Sequence, residues 1–227
     1  MFSNLFKDKT PEFNIDNTLF VARPGIVFIL AALVVWLLCL VLGFWIARQI
    51  FFLVFLFAIW FFRDPDRVTP PGEFGLSPAD GRVIRIDPGA TNPATGEKAL
   101  KISVFMNVFS VHVNRVPLSG TLVDQRYHPG TLVNASFDKA SEHNERNVLV
   151  VRDERGREFA MVQIAGLIAR RIVSWVVPGD ELKRGQRFGM IRFGSRVDLY
   201  LPPDAVPMVA LGQGVRAGWT PVWEYPK

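Results

Sequence analysis

Hydrophobic residues follow two different patterns along the chain, and the first is a continuous apolar run near the N-terminus. Residues 25–47 contain no charged side chain, and these 23 residues exceed the roughly 20 that a helix needs to cross the hydrocarbon core of a bilayer. A second apolar run, residues 50–62, follows Arg48 and Gln49 and is only 13 residues long. The pattern predicts a membrane-associated apolar helical hairpin over residues 25–62, whose second helix either spans a thinned bilayer or lies at the interface.

From residue 63 onwards the pattern changes to short segments broken by Gly, Pro, Asn and Asp. Several segments alternate apolar and polar residues with a period of two, which is typical of β-strands. Their number and spacing predict a mainly β domain, either a sandwich or a barrel-like fold. Six segments are predicted strands: Arg82–Ile86, Leu100–Met106, Gly120–Arg126, Asn147–Arg152, Glu158–Ala165 and Arg196–Leu201.

Two short segments of this domain, Pro178–Gln186 and Pro78–Val83, resemble the hairpins of lipoyl and biotinyl carrier domains. No lysine stands in a carrier-type turn such as Met-Lys-Met, so a swinging-arm function is not predicted. The sequence also lacks the GxGxxG, P-loop, HExxH, CxxC and GxSxG patterns. With Cys39 as its one cysteine, the chain offers no intramolecular disulfide and no Cys-rich metal site, and we predict no metal.

Charge and hydropathy together predict three parts: an N-terminal segment over residues 1–24, the apolar hairpin over residues 25–62 and the mainly β domain over residues 63–227. A net charge of +5 favours a polyanionic partner, and the adjacent apolar hairpin indicates a bilayer rather than nucleic acid. Basic residues flank the hairpin on both sides, so the positive-inside tendency predicts a cell-membrane protein whose β domain faces the cytoplasm. These residues are Lys7, Lys9 and Arg23 before it, and Arg63, Arg67, Arg82 and Arg85 after it.

The Gly194-Ser195 pair stands immediately before an alternating strand and is the first candidate for chemistry. Glycine permits backbone conformations that other residues resist, and a serine hydroxyl held against the preceding carbonyl can attack it. The resulting ester can eliminate to dehydroalanine, which hydrolyses to a pyruvoyl group. Taken alone, a Gly-Ser pair before a strand is more often an ordinary turn.

Histidines and one aspartate supply the candidate acid–base groups. His112 lies in an apolar stretch interrupted by polar residues and is the candidate proton carrier, because histidine titrates near neutral pH. Asp80 lies in a tight turn and would orient and stabilise a charged histidine, as in a Ser-His-Asp triad. His128 and His143 lie in polar or turn segments, which favours a structural or substrate-facing role.

Five segments in a fixed order carry a resemblance to a known family: Phe61–Pro65, Ser77–Gly81, Phe109–Arg115, Asn144–Asn147 and Phe193–Ser195. Together with the apolar N-terminal segment, they resemble the phosphatidylserine decarboxylase family, and specifically its short, archaetidylserine decarboxylase-like branch.

The resemblance implies a zymogen that cleaves itself between Gly194 and Ser195. A β chain of residues 1–194 and an α chain of residues 195–227 would then remain together as a heterodimer. Ser195 would become a covalent pyruvoyl cofactor, whose ketone forms a Schiff base with the amine of phosphatidylserine and allows decarboxylation to phosphatidylethanolamine in phospholipid biosynthesis. The resemblance implies that His112 carries out the proton steps and acts with Asp80 in self-cleavage.

One departure from the longer bacterial members leaves the acid–base roles open. Those members carry Leu-Gly-Ser-Thr and a second histidine, whereas here Arg196 follows Ser195 and Arg115 stands near the second histidine position. Arg115 is therefore a candidate ligand of the lipid phosphate or carboxylate, with His128 and His143 as further substrate-binding candidates.

Two alternative functions remain at this level. A pyruvoyl decarboxylase for another serine phospholipid or amino acid would share the Gly194-Ser195 chemistry. A non-enzymatic, membrane-tethered β module would keep the chain intact.

Overall fold

The structure is a computed structural model, and it describes residues 20–130, 144–166, 171–192 and 195–226 of the 227-residue chain. The described residues up to Asp66 form one compact unit, and those from Arg67 onwards form another.

The first unit is a pair of apolar helices joined by a tight turn. Helix α1 spans Arg23–Val41 and α2 spans Trp45–Phe61. Gly43 lies in the turn with φ of +76°, a left-handed conformation that glycine adopts without steric cost. The predicted helical pair is confirmed, but the predicted boundary at Arg48 and Gln49 is wrong, because both residues lie within the first turns of α2.

Backbone hydrogen bonds join the two ends of this hairpin. The Ala22 N–H donates to the Phe62 carbonyl at 2.7 Å, and the Asp64 N–H donates to the Phe20 carbonyl at 2.7 Å. The helices pack through rings, with the centroids of Trp36 and Phe52 5.5 Å apart. By length and composition α1 is able to cross a membrane, whereas α2 is shorter, at 17 residues.

The described part of the second unit is mainly β, as predicted, and its largest element is an eight-stranded antiparallel sheet. All six predicted strands are present in this sheet. In spatial order its strands are β13 (Gly214–Val215), β2 (Gly81–Thr91), β3 (Lys98–Met106), β11 (Ser195–Leu201), β7 (Glu158–Ile164), β6 (Arg146–Arg152), β5 (Gly120–His128) and β9 (Glu181–Leu182).

This sheet curls into a half-barrel. Arg126 on β5 donates from Nη1 to the carbonyl of Ala94, between β2 and β3, at 3.5 Å. Four strands separate β2 from β5 in the sheet, so a flat arrangement would hold these residues more than about 20 Å apart.

Two three-stranded antiparallel sheets complete the described strands. One has the order β1 (Phe74–Leu76), β14 (Pro221–Glu224), β12 (Val206–Pro207), and the other has the order β4 (Val113–Arg115), β10 (Arg187–Ile191), β8 (Ile172–Ser174). The carrier-like segment Pro178–Gln186 contributes β9 and the turn that leads to β10.

The main hydrophobic core lies on one face of the eight-stranded sheet. Val197, Leu199 and Leu201 of β11 pack there with Phe188 and Trp223 of the smaller sheets. Tyr200, which points to the other face, belongs to a smaller cluster of residues from β3, β6 and β7. Both faces of β11 are therefore buried.

Candidate active site

Ser195 is the first residue of β11, and its side chain is completely buried. It pairs with Met106, the last residue of β3, at one end of the eight-stranded sheet. Among the described residues nothing forms a hydrogen bond with Ser195 Oγ. The two preceding residues, Phe193 and Gly194 of the predicted cleavage site, lie outside the described residues.

Strand β11 is held on both sides. Each residue from Ser195 to Leu201 pairs with β3, and the residues from Arg196 to Tyr200 also pair with β7. An interior strand with two partners has its backbone donors and acceptors occupied in both directions. The position of Ser195 therefore depends on the sheet as well as on the chain that precedes it.

His112 lies between β3 and β4 and is completely buried. Its carbonyl accepts a hydrogen bond from the N–H of Ile191 at 3.3 Å. Ile191 is the last residue of β10 and stands four residues before Ser195, while Met106 stands six residues before His112. The topology thus brings the His112 backbone beside the chain that leads into Ser195.

Asp80 immediately precedes β2 and forms an ion pair with Arg67. Both Arg67 Nη atoms donate to the carboxylate, and the bond between Arg67 Nη2 and Asp80 Oδ2 is 2.8 Å long. The Ala217 N–H donates to Asp80 Oδ1, also at 2.8 Å. Arg67 was not predicted as a site residue; the sequence offers only its place just beyond the Phe61–Pro65 segment as a signal.

The next residue, Gly81, brings Asp80 towards the same end of the sheet. A side chain on Gly81 would place its Cβ 2.0 Å from the carbonyl oxygen of Phe105, which directly precedes Met106. The backbone of β2 can therefore approach β3 this closely only at a glycine. Asp80, Met106 and Ser195 consequently belong to three neighbouring parts of one sheet end.

The other predicted site residues occupy three different settings. Arg115 is buried, and its Nη1 donates to the Gly185 carbonyl at 3.0 Å. His128, the last residue of β5, is partly exposed; burial lowers its pKa, and the nearby charges of Arg146 and Arg126 lower it further. His143 lies outside the described residues.

A buried chain of amide side chains runs beside β11, and sequence reasoning did not find it. Gln163 Nε2 donates to Asn114 Oδ1 at 2.8 Å, and Asn147 Nδ2 donates to Gln163 Oε1 at 3.0 Å. Asn114 Nδ2 in turn lies 3.7 Å from the Sδ of Met106, the partner of Ser195. The available signal was polar residues at core-facing positions of otherwise apolar strands, but nothing local shows that they contact one another.

A second unpredicted feature is a buried ion cluster on the opposite face of β11. Asp198 Oδ1 lies 2.8 Å from Arg196 Nε, and Asp198 Oδ2 lies 3.1 Å from Lys101 Nζ. All three side chains are less than one-tenth exposed. Burial, reinforced by Asp198, raises the pKa of the neighbouring Tyr200. This face is therefore buried although it carries charges.

Known proteins resemble the chain over most of its length. A family model described as phosphatidylserine decarboxylase matches residues 54–222. The phosphatidylserine decarboxylase proenzyme of Nitratidesulfovibrio vulgaris is 56% identical over 180 residues, covering 79% of this chain and 82% of the relative. The proenzymes of Syntrophus aciditrophicus and Nitrosomonas eutropha are each 50% identical over 206 residues, covering 89% and 90% of this chain and 96% and 95% of the relatives. The chain belongs to the phosphatidylserine decarboxylase family.

Proposed function

We propose that this chain, a phosphatidylserine decarboxylase by family, converts phosphatidylserine to phosphatidylethanolamine with a pyruvoyl group made from its own Ser195. The observation that carries the proposal is the buried Ser195 Oγ at the start of β11, which has no hydrogen-bond partner among the described residues. A hydroxyl in that setting is not held away from the preceding peptide by another acceptor. The relatives are named proenzymes, which implies that they mature by cleavage.

Self-cleavage needs the Ser195 hydroxyl and the Gly194 carbonyl. Ser195 Oγ attacks the Gly194 carbonyl carbon, the peptide C–N bond breaks, and an ester joins the two residues. Loss of the Ser195 Cα proton and cleavage of the Cβ–Oγ bond release the Gly194 carboxylate and leave dehydroalanine. Addition of water and loss of ammonia then complete the pyruvoyl group.

His112 is the residue that we propose as proton carrier in these steps. Its carbonyl accepts a hydrogen bond from Ile191, so it lies beside the end of β10, four residues before Ser195 in the chain. The ion pair between Asp80 and Arg67 holds the residue that directly precedes β2. We propose that Asp80 acts by positioning this end of the sheet, because its carboxylate already has Arg67 and the Ala217 N–H as partners.

The pyruvoyl ketone, once formed, supplies an electron sink for the charge that remains at the substrate Cα when carbon dioxide leaves. Strands β3 and β7 would hold that group in place, because both pair with the strand that begins with residue 195. His128 is retained as a proposed head-group contact, because its strand ends at the same end of the sheet. Arg115 has less support in that role, because its buried guanidinium donates to Gly185.

The two products of cleavage, residues 1–194 and 195–227, would stay together as a β and α chain. Three strands after the cleavage site pair with strands before it: β11 pairs with β3 and β7, β13 with β2, and β14 with β1. Separation of the chains would expose β11 and its core residues. The sheet therefore supports a stable heterodimer.

Membrane attachment is proposed for the helical hairpin. Helix α1 is apolar and about 28 Å long at 1.5 Å per residue, close to the thickness of the hydrocarbon core. Basic residues on both sides of the hairpin support a cytoplasmic position for both flanks, with the catalytic unit on the cytoplasmic side of the cell membrane.

The intact mass of the purified protein tests the proposal. We expect two fragments from the wild-type chain, and a single 25.6 kDa chain without decarboxylase activity from Ser195→Ala. The matched control is Ser103→Ala, which removes the hydroxyl of another buried serine, on β3 opposite Asp198, and should still be cleaved. A wild-type protein that decarboxylates phosphatidylserine in vesicles while remaining uncleaved would overturn the mechanism.

A further inference from the structure

A short turn after β3 presents two apolar side chains to solvent. Asn107 Oδ1 accepts a hydrogen bond from the Phe109 N–H at 2.9 Å, and the Asn107 carbonyl accepts one from the Ser110 N–H at 3.0 Å. These bonds hold the turn in one conformation. Val108 is 36% exposed and Phe109 is 66% exposed, so the turn displays apolar surface to solvent.

A cation lies on the strand next to β3. Arg82 of β2 lies directly across from Phe105, near the end of β3, and its side chain is exposed. Its Nη1 donates to the Gly212 carbonyl at 2.7 Å. We name Val108, Phe109 and Arg82 the apolar corner.

The apolar corner lies beside Ser195. Met106 pairs with Ser195 and stands two residues before Val108, and the β2 backbone before Arg82 abuts Phe105. A lipid bound at the apolar corner would therefore lie at the end of the sheet where β11 begins.

We propose that the apolar corner docks the catalytic unit onto an anionic bilayer surface. Val108 and Phe109 enter the boundary between head groups and acyl chains, and Arg82 meets the lipid phosphates. Aromatic and aliphatic side chains beside a cation are the composition that interfacial segments use. The net charge of +5 complements an anionic surface. The inference rests on the proposed function, because a lipid decarboxylase must take its substrate from a bilayer.

Collisional quenching of a fluorescent label tests the docking without any turnover. Cys39 is the one cysteine of the chain, so a Cys39→Ser, Ser195→Ala background accepts a single label at Phe109→Cys or, as the matched control, at Val206→Cys. Val206 is 45% exposed and begins β12, just after the turn that follows Leu201 at the opposite end of β11. In vesicles of phosphatidylcholine and phosphatidylglycerol, we expect iodide to quench the label at 109 about threefold less than the label at 206.

Three outcomes decide the proposal. Protection at 109 that decreases in pure phosphatidylcholine vesicles or with Arg82→Gln supports it. Equal quenching at 109 and 206 overturns it. Protection that is present without vesicles and increases with protein concentration assigns the surface to a second copy of this chain and also overturns it.

A kinetic measurement on the full, cleaved enzyme gives the second arm. Val108→Ser with Phe109→Ser should lower kcat/KM on phosphatidylserine in vesicles about fivefold and leave kcat on a dispersed short-chain phosphatidylserine unchanged. Val206→Ser should change neither value. An equal loss on both substrates would overturn the docking role. Failure of the proposed function itself would appear differently, as a wild-type enzyme inactive on both substrates.

Discussion

The two faces of β11 differ in chemistry although they belong to one strand of seven residues. On one face Ser195, Val197 and Leu199 point into the main core, close to the buried amide chain of Asn114 and Gln163. On the other face Arg196 and Asp198 form a buried ion cluster with Lys101 of β3. Ser195, the proposed reactive residue, thus lies on the apolar face, and the buried charges lie on the opposite one.

This difference indicates that the two faces of β11 have different roles. A slip of β11 by one residue would move Arg196 and Asp198 into the apolar core and Ser195 out of it. The desolvation of three buried charges is costly unless their geometry is retained, so the ion cluster opposes that slip. The charged face therefore specifies the register that points Ser195 into the core.

The largest expected effect is on the rate of self-cleavage at Ser195. His112→Ala should slow self-cleavage about 100-fold or more, because it removes the proposed proton carrier. Asp80→Asn, which keeps the size of the side chain and removes the charge paired with Arg67, should slow it less. The conversion of newly synthesised chain into two fragments, followed by intact mass, measures both rates.

A packing control separates chemistry from a simple loss of core volume. Val111→Ala shortens a buried residue next to His112 without removing a titratable group, and it should be processed at close to the wild-type rate. Normal cleavage and normal turnover in His112→Ala would remove His112 from the mechanism.

The next largest effect is on the free energy of unfolding and comes from the buried ion cluster around Asp198. Asp198→Ala leaves Arg196 and Lys101 without their shared carboxylate in a buried site and should lower the free energy of unfolding by about 3–5 kcal/mol. Glu158→Ala removes the carboxylate of the largely exposed pair with Arg152, also between two strands of this sheet, and should cost less than about 1 kcal/mol.

Urea denaturation of both variants in the uncleaved Ser195→Ala background makes this comparison on a single chain. A similar shift of the two midpoints would show that burial of the Asp198 cluster adds nothing to the anchoring of β11.

Strands with clear alternation were predictable, and the shortest elements were not. Leu100–Met106 and Arg196–Leu201 lie within β3 and β11, because each has several alternating positions. Strands β9 and β13 contain two residues each, too few to show a period. The helix boundary was misplaced because two polar residues, Arg48 and Gln49, resemble a break, whereas the turn depends on the backbone of Gly43.

The residues of the candidate site divide in the same way. Ser195, His112 and Asp80 stand in local motifs, so the sequence identifies them as candidates. The ion pair between Lys101 and Asp198 joins residues 97 positions apart, and the amide pair of Asn114 and Gln163 joins residues 49 positions apart. Such pairs exist only after the sheet has formed, and no local pattern predicts them.

The smallest expected effect is on the pH dependence of stability and comes from His128. His128 pairs with Arg146, which pairs with Ile164, which pairs with Arg196, so His128 shares a row and a face with the ion cluster. Burial and the charges of Arg146 and Arg126 lower its pKa from 6.5. The unfolded chain therefore binds a proton at His128 more readily than the folded chain does, and this residue lowers stability as pH falls through about 6.5.

His128→Gln should flatten the decrease in stability between pH 6.5 and 5.5. Urea midpoints of Ser195→Ala and of Ser195→Ala with His128→Gln, measured at pH 7.5, 6.5 and 5.5, isolate the contribution of this residue, because both proteins share all other titrating groups. Added salt should reduce the difference, since Arg126 is about half exposed and its charge is screened. If both proteins lose stability equally between pH 6.5 and 5.5, the charges of Arg146 and Arg126 do not act on His128. The charged face of β11 would then have no effect on β5.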